Sequence, residues 1–147
     1  MTASVDLRRR TLLRSVVVAA LVAAIPAAWA QDPKNAIVQK EARAWLALAD
    51  LDDGPGSWKA AGKKFQYAMS SAEWTEALAQ VRKPIGKALQ RAMISTTFDS
   101  KFPGAPEGTY AHVEFRTAFT NRTEGGETIT LEREADGAWR VIGYSIH

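Results

Sequence analysis

The first change of pattern along the chain comes at Ser15. There a basic head, with Arg8, Arg9, Arg10 and Arg14, gives way to an uncharged run of Val, Ala and Leu through Ile25. Pro26 breaks that run, and Ala28-Trp29-Ala30 sets small residues around a cleavage point before Gln31. Charged head, short apolar middle and A-x-A end predict a cleavable secretory signal over residues 1–30. The competing reading is a membrane anchor. A span needs about 20 apolar residues, and the stretch from Ser15 to Ala30, with its proline, falls short.

Beyond Gln31 the apolar period is helical. Asp32-Pro33 supplies an N-cap and a residue suited to N1. Val38, Ala42, Trp45 and Ala49 follow as one row, with Ile37, Ala44, Leu48 and Leu51 as a neighbouring one. Asp52-Asp53-Gly54-Pro55-Gly56 stops that helix. Ser57 caps a second, expected to reach about Tyr67, with Trp58, Ala61, Phe65 and Ala68 buried. Ser70 and Glu73 form a capping box for a third, which carries Trp74, Ala77, Leu78 and Val81 on one side and ends at Pro84.

From about Ala88 the period falls to two. A first strand is expected to about Phe98, although Leu89 to Met93 also reads as helix. Tyr110 to Thr120 is the clearest strand: Ala111, Val113, Phe115, Thr117 and Phe119 face one way and His112, Glu114 and Arg116 the other. Gly125-Gly126 is read as a tight turn into Glu127 to Glu134. Asp136-Gly137 is read as a two-residue type I′ turn into Trp139 to Ile146. Helices first and strands after predict an α+β domain, with about three N-terminal helices packed on a four-stranded antiparallel sheet.

Composition alters this picture in one respect. The chain of 147 residues has a formal net charge of +3, which invites a nucleic-acid partner. Residues 1–30 hold four of the arginines and one acid, so residues 31–147 carry 15 basic and 15 acidic groups. A neutral domain has no net-charge attraction for phosphate backbones or anionic membranes. Its 117 residues suit one domain. There are no cysteines, which excludes disulfides, a thiol nucleophile and a lipid anchor on an N-terminal cysteine. Arg9-Arg10-Thr11-Leu12-Leu13-Arg14 has the spacing of a twin-arginine export motif, although any signal carries basic residues at its head. The expected destination is the periplasm or the exterior, by the Sec or the twin-arginine route, with no stable membrane anchor after cleavage.

Candidate chemistry is sparse. His112, Glu114 and Arg116 share one strand face, where a His beside a carboxylate does acid–base work and an Arg holds an anion. The same residues also fit a solvated outer face with cross-strand charge pairs. Trp45, Trp58, Tyr67 and Trp74, with Phe65, fit either the lining of a ligand pocket or an aromatic core. Lys59, Lys63 and Lys64, and Arg82, Lys83 and Lys87, fit basic patches or a solvated face. Asn121-Arg122-Thr123 matches a glycosylation sequon. No His, Asp and Glu set has metal-ligand spacing, and there is no Gly-x-Ser-x-Gly elbow or phosphate-cradling glycine loop. No metal or cofactor is implied.

Several of these segments together resemble a family. They are Trp45-Leu46-Ala47-Leu48, Trp58, Trp74 and Val81-Arg82-Lys83-Pro84-Ile85-Gly86, then the loop Phe102-Pro103-Gly104-Ala105-Pro106-Glu107-Gly108. The strand from Val113 to Asn121 and the close Gly137-Ala138-Trp139-Arg140-Val141-Ile142-Gly143-Tyr144 complete the set. The chain resembles the exported bacterial family known as domain of unknown function 4019. The resemblance implies an exported α+β domain with the helix-backed curved sheet of cystatin-like or nuclear-transport-factor-like folds. It implies no activity and no catalytic residues. The reading that follows is a non-enzymatic binding or accessory domain, taking a small ligand in a pocket or a protein partner along a sheet edge. The alternative is a small pocket enzyme using acid–base chemistry on an uncharged small molecule.

Overall fold

The computed structural model describes residues 32–147. The predicted signal and its cleavage point at Ala30 and Gln31 lie outside the described residues. Four helices precede four strands: α1 (Pro33–Asp50), α2 (Gly54–Ala60), α3 (Lys63–Ala68), α4 (Ser71–Ile85), β1 (Ala88–Asp99), β2 (Tyr110–Phe119), β3 (Arg122–Arg133) and β4 (Trp139–Ile146). The strands form one antiparallel sheet in the order β1-β2-β3-β4, so β1 and β4 are its edges. The domain is α+β, as the order of periods predicts.

The helix starts are set by local chemistry. Asp32 caps α1 by accepting from the Lys34 amide at 2.9 Å. Val38, Ala42, Trp45, Leu46 and Ala49 are buried, whereas Ile37 and Leu51 of the expected second row are exposed.

 Leu46 lies on the opposite flank of the buried row, so the stripe that meets the core is turned toward it and away from Ile37 and Leu51.

The expected second helix is two helices. Asp53, not Ser57, caps α2: its side chain accepts from the Gly56 amide at 2.8 Å, and Pro55 fits the first turn. The Ser57 hydroxyl donates instead to the Asp53 and Gly54 carbonyls. The break falls at Ala61 and Gly62, both extended, where the Gly62 amide donates to the Val141 carbonyl at 2.7 Å and ties the chain to β4. The Ser70–Glu73 capping box is present, and α4 runs through Pro84 to Ile85 before Gly86 ends it with φ +81°.

Two turns differ from expectation. β2 passes to β3 at Thr120-Asn121, and Gly125 and Gly126 lie within β3, opposite Thr117 and Arg116. These glycines serve close approach: a Cβ on Gly126 would lie 2.4 Å from the His147 ring, and one on Gly125 3.0 Å from the Phe119 ring. At the β3–β4 turn only Gly137 has positive φ, and Glu134 pairs with Ala138. The loop is therefore three residues long with glycine in the left-handed position, and it is not a type I′ turn, which needs positive φ twice.

One core joins the two halves. Val38, Ala42, Trp45, Leu46, Phe65, Trp74 and Leu78 from the helices pack with Val113, Phe115, Ile129, Leu131 and Val141 from the sheet. All five residues expected on the inner face of β2 are buried.

Candidate functional site

The inner face of the sheet contains an ionic cluster to which α1, α4 and all four strands contribute. Glu127 on β3 is fully buried and Arg82 on α4 is 3 % exposed. Arg91 on β1 donates to Asp50 through Nη1 and Nη2 at 2.8 and 3.0 Å, and to Glu127 through Nε and Nη2 at 2.7 and 3.2 Å. Arg82 Nη2 donates to Asp50. Thr117 donates to Glu127, and the Tyr144 hydroxyl donates to Glu127 Oε1 at 2.7 Å. Arg82 Nη1 stands 3.7 Å from Glu127 Oε1 and has no hydrogen-bond partner among the described residues. Two carboxylates thus face two guanidiniums, which is what lets these charges stay buried.

The electrostatics follow from this packing. Burial raises the Asp50 carboxyl, but hydrogen bonds from Arg91 and Arg82 outweigh it and hold the group below the usual range. Burial alone would lower Arg91; its bonds to Asp50 and Glu127 more than offset that and raise it. Burial, then the charge of Glu127, pushes the Tyr144 phenol above its ordinary value, so it remains a donor.

Tyr144 connects this cluster to a groove. Its ring meets Trp45 at 5.3 Å and Trp74 at 6.3 Å between centroids. Trp74 is fixed in turn by an indole bond to Ser57 Oγ at 2.9 Å. Beside the two rings, between α4 and the edge strand β4, runs a cavity of about 480 Å³ lined by Trp74, Ala77, Val81, Ile85, Tyr144 and Ile146, with Arg122 also in its wall. Val81 is 48 % exposed there.

Among the described residues, no strand pairs with the outer side of β4 beside this groove. Gly126 and His147 exchange both backbone bonds. Alternation along an antiparallel pair then directs the N–H and C=O of Ser145 and Gly143 toward β3, and those of Tyr144 and Ile146 outward. Gly62, the residue before α3, donates to the same edge at the Val141 carbonyl.

The residues singled out in the sequence are placed as follows. His112 Nδ1 lies 3.1 Å from Thr130 Oγ1, and Glu114 accepts from Ser95 at 2.8 Å, so the two bond to different neighbours. Glu114 and Arg116 border an open depression of about 540 Å³ on the outer face, with Ile94, Glu124 and His147; His112 does not line it. This is the larger concavity, but the charged side chains that border it are solvated. Trp45 and Trp74 are core, and Trp58 is half-buried with its indole bonded to the Met69 carbonyl at 2.8 Å. Tyr67 is 88 % exposed and apart from them. Arg82, grouped by sequence with Lys83 and Lys87, is buried away from a solvated patch; the three border a cavity of about 370 Å³ with Asp50 and Asp52. Lys64 pairs with Glu132. Glu127, Arg91, Asp50 and Tyr144 gave no sequence signal beyond a carboxylate on the apolar face of a strand. Among the described residues no group of three or more His, Asp and Glu could hold a metal ion.

No curated protein matches the chain. The sequence profile of one family, described as a protein of unknown function (DUF4019), matches residues 41–144, which reach from α1 into β4 and include every member of the ionic cluster and all of the groove lining but Ser145 and Ile146. The chain belongs to that family.

Proposed function

We propose that the protein is an exported, non-enzymatic binding domain whose binding site is the groove between α4 and β4. The observation that carries this reading is the conjunction of an apolar channel, floored by two fixed aromatic rings, with an unpaired sheet edge. Exposed apolar surface costs solvation free energy, and a contiguous patch of it rimmed by polar groups is the usual mark of a binding surface. The ionic cluster supports the same reading, because the bond from Tyr144 to Glu127 holds the tyrosine ring in place at the floor of the groove. Export rests on the basic head, the apolar run and the small residues before Gln31. The destination is the periplasm or the exterior.

Native mass spectrometry of the protein recovered from the cell envelope tests this. The expected species begins at Gln31 and carries a bound molecule that Ala77→Trp, which fills the groove, removes. A species that retains residues 1–30, or one whose bound molecule is unaffected by Ala77→Trp, contradicts it.

A further inference from the structure

We infer that the occupant of the groove is an extended polypeptide segment of a partner protein, added to the sheet as a fifth strand beside β4. This deepens the reading of the groove as a binding site and rests on it. Three observations select a polypeptide over a small molecule. Tyr144 and Ile146 both direct N–H and C=O groups outward from the edge, at the two-residue spacing of a strand. A strand is the ligand that satisfies alternate donors and acceptors in that order. Val81 and Ile85 of α4 face this edge across the groove, so an incoming strand has an apolar wall for the side chains it turns inward. Arg122 also lines the groove, and among the described residues it pairs with no carboxylate; its Nε donates only to the Glu124 carbonyl at 3.1 Å. The segment that fits alternates apolar residues and carries an acid that reaches Arg122.

The chain itself shows how the edge is used. Gly62 already donates to the outward carbonyl of Val141, so an extended backbone can approach β4 from this side. The partner strand would continue that pairing along Tyr144 and Ile146. β1, the other edge, is interrupted by two bulges that set Leu89 and Ile94 in solvent.

The test uses a capped synthetic peptide of alternating valine and threonine with one aspartate, titrated into the purified protein by NMR with amide hydrogen exchange. A version N-methylated at the bonding positions, and indole as a small apolar probe, are titrated alongside. The expected result is slowed exchange at the Tyr144 and Ile146 amides and binding about tenfold weaker for the N-methylated peptide, the effect of losing its strand hydrogen bonds. Arg122→Gln should weaken the peptide and leave indole unchanged. If indole shifts the groove amides and the peptide does not, the segment inference fails and the binding site stands. If neither shifts them, both fail. Protection of Tyr144 and Ile146 in a dimer without any peptide would place a second copy of the chain there and overturn the inference.

Discussion

Asp50 ends α1, where the partial negative charge of the helix terminus disfavours a carboxylate. Arg82 and Arg91 reverse that penalty. Asp50 holds its proton less tightly in the folded chain than in the unfolded one. Its contribution to stability is therefore complete above the unfolded value, near pH 4, and is lost as pH falls through the lower folded value. Asp50→Asn should cost about 2 kcal/mol at pH 7 and much less at pH 3, read as urea midpoints at the two pH values. An equal cost at both would show that the charge of Asp50 is not what matters. The cluster was hard to read from the sequence at this scale. Arg82 looks like one more cation beside Lys83, and Glu127 like an ordinary strand charge. Their partners lie 32 and 36 residues away, in pairs that no local period marks: Arg82 with Asp50 and Arg91 with Glu127.

Among the elements, period and capping chemistry did most of the work. Asp32-Pro33 and the Ser70–Glu73 box mark true helix starts, and the alternation of β2 gives its inner face residue by residue. The ambiguity over Leu89 to Met93 has a physical source. Leu89 and Ile94 are the extra residues of two bulges, so the strand loses its alternation there. The glycine pair at 125–126 reads as a turn in the sequence because close approach and positive φ select the same residue. The true turn at Thr120-Asn121 is stitched to the end of α4: Asn121 N–H donates to the Ile85 carbonyl, and Lys87 exchanges bonds with Thr120. Gly86 makes that junction possible, since at φ +81° a Cβ would lie 1.9 Å from Thr120 Oγ1. Gly86→Ala should cost about 2 kcal/mol, seen as a lower urea midpoint. An unchanged midpoint would mean that the junction relaxes freely.

For the whole molecule, the change from helical to strand period was enough to give the α+β class and the four-stranded sheet. It could not give the groove. A groove is a gap, and this one lies between Val81 on α4 and Ile146 on β4, where the sequence records only that both residues are apolar. Balanced charge over residues 31–147 fits the proposed recognition by shape and backbone pairing, which needs no long-range field. The most direct test is photo-cross-linking in living cells from a light-activated residue placed at Val81, in the groove, or at Leu89, a more exposed apolar position on the opposite edge. A discrete cross-linked species from Val81 and none from Leu89 is the result predicted. The same species from both positions, or one from Leu89 alone, would contradict the assignment of the groove as the binding site.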